Sequence, residues 1–350
     1  MTSKDSGTGA VLALFAGDAL GATTEFQPLK AKPWDVPALS PMRGPMQGGG
    51  VFRLKPGQHT DDGQQAGGLC MVLRFCADMG KEIPYDKDVA LNTYRRWMNS
   101  GGIGCGQQTA ASLTNGAKAA WEDGMRMMAG NGSLMRCAPT AVALYDRDED
   151  TIIKVAMADA AVTHYGPLNR MACAAYVATI AAIIRDAGLP GGVRAVDCYH
   201  TVAYQALEKA AAMLKASSAF NHGDLPAFVD AAQSDLQSDL WAARNDDPYL
   251  YGPELAMTSD LMGFVRVAFR LAFWVLDHAG KWDFRTHLLN VVNRGGDADT
   301  NGAIAGALLG AYKGVDAIPM DWREAITVAP RQHPIFNIDR AFEFLTWRFP

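Results

Sequence analysis

Residues 295–314 read GGDADTNGAIAGALLGAYKG, and this stretch says most about the fold. Three glycines recur every four positions along it, each followed by an alanine: Gly302, Gly306 and Gly310. Residues four apart share one face of a helix, so the pattern predicts a helix with a smooth stripe for close packing. Because each helical glycine costs about 1 kcal/mol relative to alanine, that packing has to offset the cost. We therefore predict a buried helix that holds Asp297, Asp299 and Thr300 rigidly at its start.

Helical periodicity extends over most of the chain, while alternating strand patterns are scarce. Glycine-rich loops separate the predicted helices, among them SGGIGCG from Ser100 and AGNGS from Ala129. We expect an all-α, compact multi-helix bundle in a single domain over residues 1–350, with the more polar residues 187–258 as an elaboration. The predicted helices include residues 11–20, 66–77, 110–121, 152–162, 171–184 and 264–276.

Composition limits the classes of function. The chain has 350 residues, of which 49% are hydrophobic, enough to bury a full core. A formal net charge of −5 disfavours a nucleic-acid partner held through phosphate contacts. The six cysteines form no CxxC pair, so we predict reduced thiols and no zinc site.

The sequence carries no sign of export or membrane insertion. Asp18 interrupts the N-terminal apolar stretch before any signal-peptide pattern develops. No later run is expected to be long and apolar enough to cross a bilayer. We therefore expect a cytoplasmic protein without a membrane partner, and no heptad pattern argues against a monomer.

Two short acidic motifs carry the strongest chemical signal: HTDD at residues 59–62 and GGDADT at residues 295–300. Either motif alone fits a simple helix cap, and Asp61 with Gln64 resembles a capping box. If the motifs meet in space, their four aspartates repel one another unless cations compensate. Hard oxygen ligands without Cys or His favour Mg²⁺ or Mn²⁺. The four aspartates are Asp61, Asp62, Asp297 and Asp299.

Together with further motifs in the same order, these residues resemble the ADP-ribosylglycohydrolase family. The resemblance covers the N-terminal half and the final third of the chain. The matching stretches are GDALGATTEF (17–26), GGGVFRLKPGQHTDDGQQ (48–65), GNGSLMRCAP (130–139), VTHYGP (162–167) and NRGGDADTNGAIAGALLGAYKGVDAIP (293–319).

The resemblance implies an orthogonal helical bundle around two divalent cations, Mg²⁺ or Mn²⁺. It implies that the distal ribose of ADP-ribose approaches the metals while a metal-activated water attacks the anomeric carbon. Glu25 and Asp62 are the candidates for handling the proton. The implied metal ligands are Glu25, Thr60, Asp61, Asp62, Asp297, Asp299 and Thr300.

Two glycine-rich loops are candidates for binding the diphosphate through backbone N–H groups, because each precedes a predicted helix. His164 resembles a family histidine near the substrate phosphates. The alternative for Asn131 and Gly132 is a simple turn. The candidate substrate-binding residues are Gly102, Gly104, Gly106, Gly130, Asn131, Gly132, Ser133 and His164.

One departure from the family pattern concerns the acceptor. Arginine-directed relatives often carry an acidic residue in a helix resembling GYVxDT, and pairing that motif with GFVRVAFRL places Val267 there. Asp260 or Glu254, just before this helix, are candidate substitutes. The departure leaves the implied metal ligands intact and bears on which acceptor is used.

Three functions are consistent with these observations. The first is hydrolysis of ADP-ribose from a modified protein side chain, with arginine ahead of other acceptors. The second is an immunity or binding protein that neutralises a cognate ADP-ribosyltransferase by contact; Trp241 and residues 249–251 are then partner-surface candidates, with ordinary packing as the alternative. The third is hydrolysis of another conjugate, such as O-acyl-ADP-ribose.

Overall fold

The computed structural model describes residues 1–27, 46–245, 255 and 260–350. Within these ranges the chain forms fifteen α-helices and two isolated bridges but no sheet, which confirms the all-α prediction. The helices are α1 (Ser3–Gly21), α2 (Asp61–Asp78), α3 (Lys87–Asn99), α4 (Gln107–Asn115), α5 (Ala117–Asp123), α6 (Ala138–Leu144), α7 (Glu149–Thr163), α8 (Pro167–Ala187), α9 (Val196–Ala216), α10 (Leu225–Asn245), α11 (Val265–Asp277), α12 (Phe284–Val292), α13 (Ala298–Lys313), α14 (Met320–Val328) and α15 (Ile338–Arg348).

The antiparallel pair α1 and α13 forms the centre of the fold. A Cβ added to Gly302 would lie 2.5 Å from the carbonyl oxygen of Gly17, and one added to Gly310 would lie 2.3 Å from that of Gly9. The two backbones therefore touch directly, and the predicted smooth stripe on α13 is confirmed. Because the pair is antiparallel, the end of α1 lies beside the start of α13, where Asp299 stands.

Helix α8 corrects one expectation about membranes. It is long and apolar enough to cross a bilayer by length and composition. However, 89% of its most apolar stretch is buried inside the protein, against α1, α7, α9 and α13. Its apolar surface is covered by neighbouring helices, which is the environment of a core helix.

The predicted helix over residues 110–121 is wrong in one respect. Gly116 has a φ of 93°, and it separates α4 from α5. A positive φ is outside the range of a right-handed helix and costs glycine little. The apolar periodicity runs through this break, so periodicity alone did not reveal it.

Residues 187–258 contribute α9 and α10, which pack on each other and on α8. The fully buried Asp239 of α10 accepts hydrogen bonds from Arg266 and Arg270, at distances down to 2.7 Å, and so fixes α10 to α11. Trp241 is 59% exposed, whereas residues 249–251 and 254 lie outside the described ranges.

Candidate metal and substrate site

Asp18 and Thr60 form the base of the site. Asp18, near the end of α1, is fully buried and accepts hydrogen bonds from the backbone N–H groups of Thr60 and Gly63, both at 2.8 Å. The Thr60 hydroxyl lies close to three carboxylates: Asp18 at 2.9 Å, and Asp62 and Asp299 at 3.1 Å each. One hydroxyl has a single proton to donate, so the other oxygens need another positive partner.

Neither acidic motif acts as a simple helix cap. Thr60 is the N-cap residue of α2 and Asp297 that of α13, and neither side chain makes a capping hydrogen bond. The hydroxyl of Thr60 faces carboxylates, and Asp297 accepts a hydrogen bond from the side-chain amide of Asn131 at 2.6 Å. The capping interpretation is therefore wrong, and these oxygens face the site.

Two groups of three carboxylates meet at Asp299. In each group, one oxygen of every member lies within 4.8 Å of the others. The first group contains Asp18, Asp62 and Asp299, and the second contains Glu25, Asp297 and Asp299. The structure thus brings the two sequence motifs together, and it adds Asp18, which the sequence analysis did not select as a ligand.

The cluster is electrostatically unfavourable without a positive partner. Burial, reinforced by the charge of Asp297, raises the pKa of Glu25 to about 8, and burial raises the pKa of Asp18 to about 6. Glu25 Oε2 and Asp62 Oδ1 are buried and have no hydrogen-bond partner among the described residues. A set of oxygen donors with unsatisfied negative charge fits hard divalent cations. Burial and neighbouring carboxylates raise the pKa well above its usual range in Asp61, Asp62 and Asp299.

A cavity of about 390 Å³ opens onto this cluster. Thr60 and Asp62 are fully buried and do not line it. The other implied ligands do: Glu25, Asp61, Asp297, Asp299 and Thr300. Most of the candidate substrate-binding residues line the same cavity: Gly104, Gly106, Gly130, Asn131, Gly132 and His164.

Two candidate substrate-binding residues lie apart from the cavity lining. Gly102 packs against Trp97, where a Cβ would lie 2.3 Å from the indole ring. Ser133 is fully buried, and its hydroxyl oxygen accepts a hydrogen bond from the thiol of Cys173 at 3.5 Å. Several further residues line the cavity without having been predicted to do so. Three of them directly follow the first glycine-rich loop, and that position was a usable signal in the sequence: Gln107, Gln108 and Thr109.

The loop at residues 129–132 is fixed on both sides. The N–H of Gly130 donates to Gln108 Oε1 at 2.8 Å, and the N–H of Asn131 donates to the carbonyl oxygen of Gly263 at 2.9 Å. The N–H groups of Gly130 and Asn131 are therefore already hydrogen-bonded within the protein. In the part of the chain that the structure describes, the N–H group of Gly132 has no acceptor, and because Gly132 lines the cavity this group is available to an anion.

Only one of the two glycine-rich loops leads directly into a helix start. Gly106 is the N-cap residue of α4, which has nine residues. The loop at residues 129–132 is separated from α6, which begins only at Ala138. Both loops precede a helix, as the sequence predicts, but only the first loop places its glycine at the helix start.

His164 lies between the loop and the core. It is 1% exposed, and burial together with the nearby Arg136 lowers its pKa to about 3, so the ring is neutral. Its Nδ1 lies 2.8 Å from the hydroxyl of Thr163. A Cβ on Gly132 would lie 3.0 Å from the imidazole, which explains the need for a small residue there. His164 can thus offer a hydrogen bond to a ligand but no charge.

A buried ion pair joins the acidic cluster to the loop. Arg136 and Asp159 are both fully buried and pair at 3.1 Å. The guanidinium also donates to Gln65 Oε1 at 2.9 Å and to the carbonyl oxygen of Gly132 at 3.3 Å. Gln65 in turn donates to Asp61 at 3.4 Å. These contacts hold the start of α2 and the loop in fixed relative positions.

Comparisons with known proteins show relatives of this chain over most of its length. The chain is 30% identical over 331 residues to ADP-ribosyl-[dinitrogen reductase] glycohydrolase of Rhodospirillum rubrum, covering 91% of this chain and 89% of that one. It is 26% identical to ADP-ribosylarginine hydrolase Tri1 of Pseudomonas putida, covering 92% and 74%.

A solved structure described as an ADP-ribosylglycohydrolase-related protein complex is similar over 99% of this chain and 96% of that chain, with a TM-score of 0.63 and 26% identity. The sequence model of the ADP-ribosylglycohydrolase family matches residues 1–340. Because that match spans nearly the whole chain, including both acidic motifs and the loops above them, the chain belongs to the ADP-ribosylglycohydrolase family of glycosidase-type hydrolases.

Proposed function

We propose that this protein removes ADP-ribose from a modified arginine side chain of another protein. The observation that carries the proposal is the cavity with a buried acidic floor and glycine-rich loops at its rim. The relatives named above act, by their names, on ADP-ribosylated dinitrogen reductase and on ADP-ribosylarginine. Those names support a protein-borne substrate and arginine as the acceptor.

Two divalent cations, Mg²⁺ or Mn²⁺, suit the donor set of the cluster. Bound there, such ions polarise a water and stabilise negative charge that develops in the reaction. Asp18 accepts hydrogen bonds from the backbone N–H and the hydroxyl of Thr60, so we assign it the role of holding Thr60 in place. The ligands that we propose are Glu25, Thr60, Asp61, Asp62, Asp297, Asp299 and Thr300.

Glu25 is better placed than Asp62 to handle a proton from the attacking water. Both residues have a buried oxygen without a hydrogen-bond partner among the described residues. Glu25 lines the cavity, whereas Asp62 does not. A general base has to reach the proton that it abstracts. We therefore assign the base to the Glu25 carboxylate, and to Asp62 the role of a ligand.

Backbone N–H groups are the proposed partners of the diphosphate. The start of α4 has unpaired N–H groups and the positive end of the helix dipole. The N–H group of Gly132, which lines the same cavity, is a further donor. The neutral ring of His164 adds one hydrogen bond, so the diphosphate would be bound mainly by dipoles.

The test is release of ADP-ribose from an arginine-ADP-ribosylated protein in Mg²⁺, Mn²⁺ or EDTA, with the product identified by mass spectrometry. We expect release that depends on the cation and is lost on EDTA treatment. Asp186→Asn serves as a control for variants of the acidic cluster, since Asp186 is a buried aspartate outside the site and its replacement should leave the release of ADP-ribose unchanged. Metal binding without release from arginine would contradict the proposal. Release from an O-linked conjugate instead would favour the third function.

We also propose that the protein works in the cytoplasm as a monomer. Its six cysteines are all free thiols, which fits a reducing compartment. Light scattering at several protein concentrations tests the monomer, and a mass that rises to that of a dimer would contradict it.

A further inference from the structure

The cavity contains one carboxylate that stands apart from the acidic cluster. Five acidic residues line the cavity, and four of them belong to the cluster at its floor. The fifth is Asp260, which is exposed and lies in the turn before α11. It has no hydrogen bond or ion pair within the described part of the chain. Asp260 is therefore free to bind a ligand group at the mouth of the cavity.

The position of Asp260 is fixed by the segment that comes after it. Residues 263–265 are attached to the glycine-rich loop, because the Gly263 carbonyl accepts from Asn131 at 2.9 Å and the N–H of Val265 donates to Ala129 at 2.9 Å. A Cβ on Gly263 would lie 3.3 Å from a carboxylate oxygen of Asp297, so this segment passes directly over the acidic floor. Asp260 begins the turn that leads into this segment.

The charges around the cavity favour a cationic acceptor. Among its described lining residues there is no Lys or Arg, and the one histidine, His164, is neutral. Val267, the position that corresponds to an acid in the sequence pattern, is fully buried in α11 and does not line the cavity. Asp260 is thus the only described carboxylate outside the cluster that faces the substrate.

We propose that Asp260 binds the guanidinium of the arginine from which ADP-ribose is removed, and so selects a cationic acceptor. This inference rests on the proposed function and names the residue that determines its specificity. A guanidinium keeps its charge at all physiological pH values, and its planar N–H fork matches a carboxylate. Met262, which also lines the cavity, offers apolar contact to the arginine side chain.

The experiment compares Asp260→Asn, which keeps the size but removes the charge, with Asp260→Glu, which keeps the charge. We expect Asp260→Asn to raise KM for ADP-ribosylarginine about ten-fold, the scale of one charge-assisted hydrogen bond at a solvent-exposed rim, with little change in kcat. Asp260→Glu should restore most of the loss. The matched control is Glu208→Gln on an exposed part of α9, which should leave KM unchanged.

Binding of free ADP-ribose, measured by calorimetry, separates acceptor recognition from damage to the rest of the site. We expect its affinity to be the same in Asp260→Asn as in the wild-type protein, because free ADP-ribose has no acceptor. An unchanged KM for ADP-ribosylarginine would overturn the inference. An equal loss of affinity for ADP-ribose would do so as well.

Failure of the proposed function gives a different result. If the wild-type protein releases no ADP-ribose from arginine, the proposed function is wrong. The role of Asp260 is then tested by measuring binding of ADP-ribosylarginine and of ADP-ribose without turnover. The ratio of affinities for ADP-ribosylarginine and ADP-ribose then decides. A ratio that drops about ten-fold in Asp260→Asn supports guanidinium recognition, and an unchanged ratio contradicts it.

Discussion

Asp18 shows how a residue that does not line the cavity can determine what the cavity binds. Its carboxylate receives two backbone N–H groups and faces the hydroxyl of Thr60. An asparagine there would turn an amide N–H₂ towards one of these donors. We expect Asp18→Asn to weaken Mn²⁺ binding about 10- to 100-fold, as for other residues that orient ligands, with the helical content retained.

Calorimetric titration with Mn²⁺ measures this effect. The control is Asp186→Asn, since Asp186 is similarly buried and accepts hydrogen bonds from Tyr199 at 3.0 Å and Arg194 at 2.6 Å, away from the cluster. Equal Mn²⁺ affinity in Asp18→Asn and the wild-type protein would show that Thr60 is held in place without Asp18.

Asp299 belongs to both carboxylate groups, so its replacement has opposite effects on activity and on stability. Asp299→Asn should lower kcat/KM by at least about 100-fold, the scale of a lost catalytic group. In EDTA the same variant should be more stable than the wild-type protein by about 1 kcal/mol, because a neutral amide replaces a carboxyl group whose ionisation is opposed by burial and by the neighbouring carboxylates. Urea unfolding in EDTA provides the second measurement, and a less stable variant would contradict the repulsion.

At the scale of single residues, the sequence predicted the site residues that lie within its acidic motifs. It did not predict the residues whose place in the site depends on how the chain folds. The carboxylates of the two motifs do meet. Asp18 was interpreted only as an interruption of an apolar stretch, although a charge inside a helix of buried residues was itself a signal. Gly102 and Ser133 belong to glycine-rich loops but turn away from the cavity, and no sequence pattern records that orientation.

At the scale of elements, the contact between α1 and α13 depends on the absence of side chains. A Cβ at Gly302 would lie 2.5 Å from the carbonyl oxygen of Gly17, which cannot move aside as a flexible side chain can. We expect Gly302→Ala to lower the free energy of unfolding by about 1–3 kcal/mol. Asp18 lies on α1 and Asp299 on α13, so a displacement of one helix from the other also displaces these two carboxylates. The variant should therefore bind Mn²⁺ more weakly as well.

Gly280→Ala is the matched control for this prediction. A Cβ at Gly280 would meet no atom within 4 Å, so its effect should stay within about 0.5 kcal/mol. Urea denaturation of both variants makes the comparison. Similar stability in the two would show that the helices can separate without cost.

Helix positions were predictable where burial and periodicity agreed. The stripe of α13 was visible because glycine is costly inside a helix, and its recurrence at every fourth position points to close packing on that face. The division between α4 and α5 was not visible, since Gly116 continues the periodic pattern and only its positive φ breaks the helix. Which helix would cover the stripe was also hidden, because α1 is separated from α13 by most of the chain.

At the scale of the whole molecule, the acidic cluster makes stability depend on pH and metal together. The pKa of Glu25 is about 8 and that of Asp18 about 6, both raised mainly by burial. Between pH 4 and pH 8 the folded, metal-free protein therefore holds more protons than the unfolded chain, and its stability falls as pH rises. We expect Mn²⁺ to remove this loss, to which the shift of Asp18 by about two pKa units alone contributes about 3 kcal/mol.

Urea midpoints from pH 5 to pH 8, with Mn²⁺ and with EDTA, test this dependence. The neutral imidazoles of His164 and His287 have pKa values lowered by burial to about 3 and about 4. They act in the opposite direction, because their contribution is lost as pH falls below about 6.5. The contribution of these histidines is the same with Mn²⁺ and with EDTA. The difference between the urea midpoints in Mn²⁺ and in EDTA therefore reports on the carboxylates alone. A gap between the two midpoints that does not widen with pH would contradict the prediction.

The antiparallel pairing of α1 with α13 also has a consequence for synthesis of the chain. Asp18 emerges from the ribosome early, and its partner Asp299 emerges close to the end. A chain that is still growing, or one cut short before residue 297, lacks Asp297 and Asp299 of the acidic cluster and has an uncovered glycine face on α1. Closing so long a loop is slow. The acidic cluster is therefore completed only once translation is nearly finished.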